Sequence, residues 1–141
     1  MNAEQMPDMQ QRIEQFLDGS PHAVVGASRN PSKIGYLVLQ SYLQNDRMVY
    51  PVNPNADKID GLVTYPDLPS MPEVPYGISI ITPPHISETI VEQAGAIGVK
   101  NIWLQPGAES ELAISRAAEL GMNVIAGGPC ILVVLGYRAN R

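Results

Sequence analysis

The sequence predicts an α/β protein with a single, mostly parallel sheet that is doubly wound, with helices on both faces. Short apolar runs of strand length alternate with longer segments in which apolar residues recur at helical spacing. Most of the apolar runs end in glycine, proline or asparagine, which favour turns. Right-handed crossovers bring the carboxyl ends of parallel strands to one edge, and ligands bind there. The fold class therefore predicts where a binding site lies.

The first part of the chain supplies two helices and the first strand. Met6–Leu17 has apolar residues at helical spacing, so residues 1–20 are expected to hold a helix that packs on the sheet. Ala23–Gly26 is apolar or small and predicts a buried parallel strand. Ile34–Asn45 has the pattern of a buried helix, and His22 is expected to be structural or solvated.

The rest of the chain supplies four more strands and two more helices. The predicted strands are Met48–Val52, Tyr76–Thr82, Asn101–Leu104 and Asn123–Ala126, and the predicted helices are His85–Ile97 and Glu109–Leu120. Ile59–Pro66 predicts a loop with a short extended piece, and the proline-rich Pro66–Pro75 is expected to be irregular. The pattern leaves open whether Ile131–Arg141 is strand or helix.

Length and composition exclude several classes of protein. A chain of 141 residues favours one domain over residues 1–141, and a net charge of −5 disfavours a nucleic-acid surface. No apolar run approaches the roughly 20 residues of a membrane helix, and the polar N-terminus is not typical of a secretory signal. The single cysteine, Cys130, excludes an intrachain disulfide, and the acidic residues lack metal-ligand spacing. We therefore expect a cytoplasmic protein with no nucleic-acid, membrane or metal partner.

The stretch His22–Gly35, HAVVGASRNPSKIG, carries the strongest functional signal. The predicted strand leads into the small residues Gly26, Ala27 and Ser28, then into a loop, and then into a helix N-terminus. Backbone N–H groups and the helix dipole bind anions at such a junction. The stretch therefore predicts a loop that holds the phosphates of a nucleotide-containing ligand. Arg29 and Lys33 are either cations that contact those phosphates or solvated loop charges.

Four further strand ends are expected at the same edge, which suggests a continuous groove. They are Val52–Lys58, Thr82–Pro84, Gln105–Gly107 and Gly128–Cys130. The alternative is that these are only the loops that any α/β fold needs. A bulky residue at Gly26 or Ala27 is expected to block the phosphates while the fold stays mostly intact.

A nicotinamide dinucleotide is one candidate ligand and would make the protein an oxidoreductase with an atypical NAD(P) loop. The GxGxxG fingerprint is incomplete, because Ser28 and Pro31 replace its second and third glycines and Gly35 comes too late to serve. The second predicted strand ends in Val52-Asn53-Pro54, without the acidic residue that binds a ribose hydroxyl.

A resemblance to a known family favours a different ligand. Its carriers are VVGAS with Pro31, Lys33 and Gly35, YPVNP at Tyr50–Pro54 with Gly61, ITPP at Ile81–Pro84, VKNIWLQPGA at Val99–Ala108, and Cys130. From about His22 to Cys130 the chain resembles the small stand-alone coenzyme A-binding proteins. It is similar also to the Rossmann-like CoA-binding domain of the succinyl-CoA synthetase α-subunit.

The resemblance implies coenzyme A (CoA) or an acyl-CoA as the ligand and implies a role for each matching residue. Gly26, Ala27, Ser28 and Arg29 would hold the pyrophosphate, and Lys33 would neutralise phosphate charge. Val52, Asn53 and Pro54 would contact the adenosine, and Lys58 would reach its 3′-phosphate. Thr82, Pro83, Pro84, Gln105 and Gly107 would line the path of the pantetheine arm.

The sequence supplies little for catalysis, and no catalytic residue is predicted. Neither His22 nor His85 lies in a motif that matches the phosphorylated histidine of the synthetases, and Ser28 has no evident base beside it. Cys130 is either a buried inert thiol or a thiol near the sulfur of the ligand. The resemblance therefore implies a CoA-binding module that works as a carrier, a sensor or the partner of an enzyme. Its expected protein partner is either a further copy of the chain, in a homo-oligomer, or an enzyme.

Overall fold

The computed structural model describes residues 8–139, and its main feature is a five-stranded parallel sheet. The strands are β1 (His22–Val25), β2 (Val49–Val52), β3 (Lys58–Ile59), β4 (Leu62–Val63), β5 (Gly77–Ile80), β6 (Asn101–Leu104) and β7 (Asn123–Ile125). The helices are α1 (Met9–Leu17), α2 (Ile34–Gln44), α3 (Pro84–Ile97), α4 (Glu111–Glu119) and α5 (Ile131–Val134). The sheet has the order β2-β1-β5-β6-β7, and β3 and β4 form a separate hairpin. The predicted α/β fold is confirmed.

Helices cover both faces of the sheet, and each face has its own apolar core. Val24 and Trp103 point to the core that includes Tyr42 of α2 and Phe16 of α1. Val25 belongs to the opposite core, whose other members include side chains of α3 and α4. Because both faces are covered, β1 is buried at every position, and this explains why Ala23–Val25 is an apolar run.

A capping box at Asp8 marks the start of the N-terminal helix, α1. The Asp8 carboxylate accepts a hydrogen bond from the backbone N–H of Gln11 (2.8 Å), and the Gln11 side chain accepts one from the Asp8 N–H (3.0 Å). The predicted first turn from Met6 lies outside the described residues. As expected, α1 packs on the sheet, where it contacts β6 and β7.

Three segments, for which the sequence predicts a loop, irregular structure or no single type, contain short regular elements. Asp60 and Gly61 both have positive φ angles, 49° and 80°, and this turn joins β3 to β4 as an antiparallel hairpin. A short 3-10 turn, Leu68–Ser70, interrupts the proline-rich segment, and the Asp67 carboxylate caps it. In the C-terminal stretch, α5 is a single helical turn up to residue 134. Among residues 8–139, no helix is long and apolar enough to span a bilayer.

His22 is buried in an aromatic cluster at the start of β1. Its Nε2 lies 2.8 Å from the carbonyl oxygen of Phe16, and its ring packs beside Phe16 and Tyr42. Burial lowers the pKa of His22 below its ordinary value of 6.5, because the surrounding rings replace the water that would solvate the cation. The hydrogen bond to Phe16 opposes this effect, and the charge of Arg47 adds to it. The sequence predicts that His22 is either structural or solvated, and its burial supports the structural role.

The stability of the protein should therefore depend on pH below 6.5. The unfolded chain binds a proton at His22 more readily than the folded chain does, so acidification favours unfolding. The contribution of His22 to the free energy of unfolding is complete above pH 6.5 and is lost as the pH falls through the lower folded pKa. Urea titrations between pH 5 and 7.5 measure this slope. His22→Gln should flatten it, whereas His85→Gln at an exposed position should not; an unchanged slope in His22→Gln contradicts the assignment.

Candidate functional site

Two cavities open where β2, β1 and β5 end, next to the point at which the strand order reverses. The apolar cavity has a volume of about 300 Å³ and lies between the strand ends and α3, with Val52, Thr82 and Ile90 in its wall. The polar cavity has a volume of about 390 Å³ and lies between the loop after β1 and the loop after β2. Asn53 lines both. Ligands of open parallel sheets bind at such a position.

Gly26 ends β1 in a conformation that other residues rarely adopt. Its φ angle is +96°, and a Cβ atom at this position would lie 2.6 Å from the carbonyl oxygen of Ile81. The next residue, Ala27, is completely buried. The expectation that a bulky residue at Gly26 or Ala27 leaves the fold mostly intact is therefore wrong, because neither position has room for a larger side chain.

Gly35 lets α2 pack directly against the loop after β1. A Cβ atom on Gly35 would overlap the backbone carbonyl of Gly26. Close packing of a helix on a strand is what the last glycine of the dinucleotide fingerprint provides. The expectation that Gly35 comes too late to serve is wrong, because the loop is longer and Gly35 still supplies that close approach.

The loop between β1 and α2 is held by its own short side chains. Ser28 Oγ accepts a hydrogen bond from the Asn30 N–H (3.0 Å), and Asn30 Oδ1 accepts from the N–H and the hydroxyl of Ser32 (3.0 and 2.8 Å). The Ser28 hydroxyl is an acceptor in this contact, so its hydrogen remains available to a ligand.

The N-terminus of α2 presents positive charge beside this loop. Lys33 is the N-cap residue, and its side chain makes no capping hydrogen bond to the first turn. The backbone N–H groups at the start of a helix have no partner within the helix, and the helix dipole is positive there. The side chains of Arg29 and Lys33 are exposed. This end of α2 can therefore bind an anion.

Asn53 ties the end of β2 to the loop. Its amide nitrogen donates to the carbonyl oxygen of Ala27 (2.7 Å), and its amide oxygen accepts from the N–H of Asn55 (2.7 Å). Both ends of the amide are used, so Asn53 fixes the distance between the two loops that line the polar cavity.

The comparison with known proteins identifies the family. A family model described as a CoA binding domain matches residues 21–136. The chain belongs to this CoA-binding family. It is homologous to the CoA-binding domain of ADP-forming acetate–CoA ligase alpha subunits, which resemble the succinyl-CoA synthetase α-subunit, so the predicted resemblance is confirmed. CoA binding is supported by this membership.

Individual relatives agree with the family match. The alpha subunit of ADP-forming acetate–CoA ligase II from Pyrococcus furiosus is 27% identical over 140 residues, which cover 91% of this chain and 30% of that subunit. The chain thus spans about a third of the length of this curated relative. A solved conserved hypothetical protein from Pyrococcus furiosus is 37% identical, with a TM-score of 0.76, over 80% of this chain and 97% of that one. The apo form of a dinucleotide-forming acetyl-coenzyme A synthetase from Ca. Korarchaeum cryptofilum is 34% identical, with a TM-score of 0.69, over 79% of this chain and 27% of that one.

The CoA-binding domain brings some of the predicted site residues together and leaves others apart. Gly26, Val52, Asn53, Pro54 and Thr82 line the apolar cavity, and Ser28, Arg29 and Asn53 line the polar cavity. Ala27, Lys33, Lys58, Pro83, Pro84, Gln105 and Gly107 line neither.

Gln105 is a buried link between the ends of β6 and β7. Its amide nitrogen donates to Sγ of Cys130 (2.9 Å), and its amide oxygen accepts from the N–H of Ile131 (3.2 Å). Cys130 is half-buried. The strand ends beyond β5 are thus joined to each other, whereas the two cavities lie at β2, β1 and β5.

The wall that α3 contributes to the apolar cavity was not predicted from the sequence. Ile86, Thr89, Ile90 and Gln93 line it. Their spacing follows one helical face, and α3 comes directly after the strand next to β1. That combination of spacing and position is the signal that could have identified them.

Proposed function

We propose that this CoA-binding domain holds CoA or an acyl-CoA with its diphosphate at the junction of β1 and α2, and that it carries out no reaction of its own. The observation that supports the phosphate position best is the fit between Gly26 and Gly35. The two glycines bring the helix N-terminus against the strand end without an intervening side chain. Backbone N–H groups can then approach a phosphate closely.

The charges around this junction suit a polyanion. Arg29 lines the polar cavity with Ser28, Asn53 and Asn55, so cationic and neutral donors face the same space. Lys33 adds a second exposed cation at the start of α2. Charge-assisted hydrogen bonds to phosphate are stronger than neutral ones. These two cations therefore favour an anion at this place although the net charge of the chain is negative. In this proposal Lys58 reaches the 3′-phosphate from the start of β3.

The apolar cavity supports the adenosine position. Val52 and Pro54 line it at the end of β2, and Gly26 connects it to the phosphate loop. The purine would pack between these residues and α3. The pantetheine arm would then leave the loop past Thr82, Pro83 and Pro84 towards Gln105 and Gly107.

The proposal of binding without catalysis rests on the surroundings of the reactive side chains. His22 is buried, and its Nε2 hydrogen-bonds with the carbonyl oxygen of Phe16. The Ser28 hydroxyl accepts a hydrogen bond from the Asn30 N–H and has no base beside it. Among residues 8–139, no group of three or more histidine, cysteine, aspartate or glutamate side chains could hold a metal ion. A carrier, a sensor or a partner of an enzyme would need nothing further.

Thermal unfolding with three ligands tests the proposal. A ligand that binds only the folded state at 100 times its Kd adds about 2.7 kcal/mol of stability, which should raise the Tm by about 5–10 °C for a chain of this size. We expect such a shift with CoA and a smaller one with dephospho-CoA, which lacks the 3′-phosphate. NAD(H) at the same concentration should give little or no shift. A shift with NAD(H) and none with CoA would instead support an oxidoreductase with an atypical dinucleotide loop.

A further inference from the structure

The two branches of the Thr82 side chain have different surroundings. The hydroxyl oxygen is 2.8 Å from Oγ of Ser87, a residue that is completely buried and lines neither cavity. The methyl carbon, Cγ2, lies beside Gly26, 3.3 Å from the place that a Cβ atom on Gly26 would occupy. Gly26 and Thr82 both line the apolar cavity. The methyl group is therefore the branch of Thr82 that lies on the side of the phosphate loop.

The hydrogen bonds of Ser87 fix the direction of the Thr82 hydroxyl. Ser87 Oγ donates to the carbonyl oxygens of Thr82 and Pro83, at 3.3 Å each, and a carbonyl oxygen can only accept. The Ser87 hydroxyl therefore accepts from Thr82, whose single hydroxyl hydrogen is used in this contact. Both branches of a threonine are attached to the same Cβ atom, so a hydrogen bond that fixes the hydroxyl also fixes the methyl group.

We infer that Ser87 is a positioning residue, which turns the methyl group of Thr82 towards the pantetheine arm of CoA where the arm leaves the diphosphate. This inference rests on the proposed function, because it needs the diphosphate beside Gly26. The carbon chain that follows the diphosphate in CoA carries a pair of methyl groups, and an apolar contact suits it. A hydroxyl in the same place would lose its water without gaining a partner. A dinucleotide presents the hydroxyl groups of a second ribose there, so the methyl group of Thr82 favours CoA.

Calorimetric titrations with CoA and with adenosine 3′-phosphate 5′-diphosphate test the inference. The second ligand keeps the adenosine and the phosphates of CoA but lacks the pantetheine arm. Thr82→Ser keeps the hydroxyl and removes the methyl group, so it should weaken CoA binding about fourfold, as expected for one buried methyl group, and leave binding of the second ligand unchanged. Ser87→Ala should do the same, because the Thr82 side chain is then free to rotate. Thr89→Ser, in the α3 wall of the same cavity, is the control and should change both affinities equally.

The double variant Thr82→Val/Ser87→Ala separates a positioning role from support of the fold. It removes both hydroxyl groups together, so neither is left unpaired, and valine keeps a methyl group beside Gly26; CoA affinity should return to within about twofold of the wild type. A lower Tm of unliganded Ser87→Ala with wild-type affinity for both ligands would mean that Ser87 only supports the fold, and would overturn the inference. Wild-type CoA affinity in Thr82→Ser, or no recovery in the double variant, would also overturn it. Absence of any CoA binding by the wild type would refute the proposed function and this inference with it.

Discussion

Replacing Gly35 by alanine is expected to lower the free energy of unfolding by about 3 kcal/mol or more, at the upper end of the cost of overpacking. The new Cβ atom, fixed to the backbone of α2, would overlap the backbone carbonyl of Gly26, and neither group can rotate away as the end of a flexible side chain could. The Gly26 N–H donates a hydrogen bond to the carbonyl oxygen of Val52 (3.0 Å), which holds Gly26 in place. Relief therefore requires α2 to move away from β1, which should also weaken CoA binding.

Gly95 in α3 offers a matched control for this substitution. A Cβ atom there would lie 2.8 Å from Cδ1 of Leu120, the end of a flexible side chain that can rotate away. Alanine is roughly 1 kcal/mol more favourable than glycine inside a helix, so Gly95→Ala should be neutral or slightly stabilising. Urea unfolding of both variants gives the comparison. Similar stabilities for Gly35→Ala and Gly95→Ala would show that α2 does not depend on close contact with the loop.

Reversing the charge of Arg29 is expected to weaken CoA binding about 100-fold, because a charge-assisted contact to phosphate is replaced by repulsion. Arg29 lines the polar cavity, and its exposed side chain has no role in the apolar cores. Arg29→Glu should therefore leave the Tm of the unliganded protein nearly unchanged while titration calorimetry records the loss of affinity.

Lys100→Glu controls for the overall change of charge. Lys100 is exposed and directly precedes β6, so it lies at the edge of the sheet opposite the two cavities. The two variants add the same net charge, and long-range effects on a CoA polyanion are screened within about 10 Å at 0.1 M salt. Lys100→Glu should change the affinity less than threefold. Equal losses in Lys100→Glu and Arg29→Glu would place the phosphates outside the polar cavity.

The helices and sheet strands followed from local patterns. Predicted Asn101–Leu104 matches β6 at both ends, and predicted His85–Ile97 differs from α3 by one residue. Predicted Tyr76–Thr82 is longer than β5, Gly77–Ile80, because Tyr76 and Ile81 extend the strand-like pattern beyond the paired residues. The hairpin at Asp60-Gly61 was not predicted, although that dipeptide favours its turn.

Some residues of the candidate site could be predicted from the sequence, and others could not. The loop with Gly26 could be recognised from its small residues, since these are local requirements of a tight strand-to-helix junction. The role of Gly35 could not, because it depends on how closely α2 approaches a carbonyl nine residues earlier. The burial of Gln105 depends on Cys130 and Ile131, which are far away in the sequence.

The sequence by itself determined the α/β class, the order of the main elements, the edge of the sheet that carries the strand ends and the family to which the chain belongs. These properties are encoded in periodicity and short motifs, which neighbouring residues specify. Tertiary structure alone decided that the cavities lie at β2, β1 and β5, that α3 forms a wall, and that the methyl group of Thr82 lies beside Gly26. These features arise where distant segments pack together, and no local pattern specifies which side chains meet there.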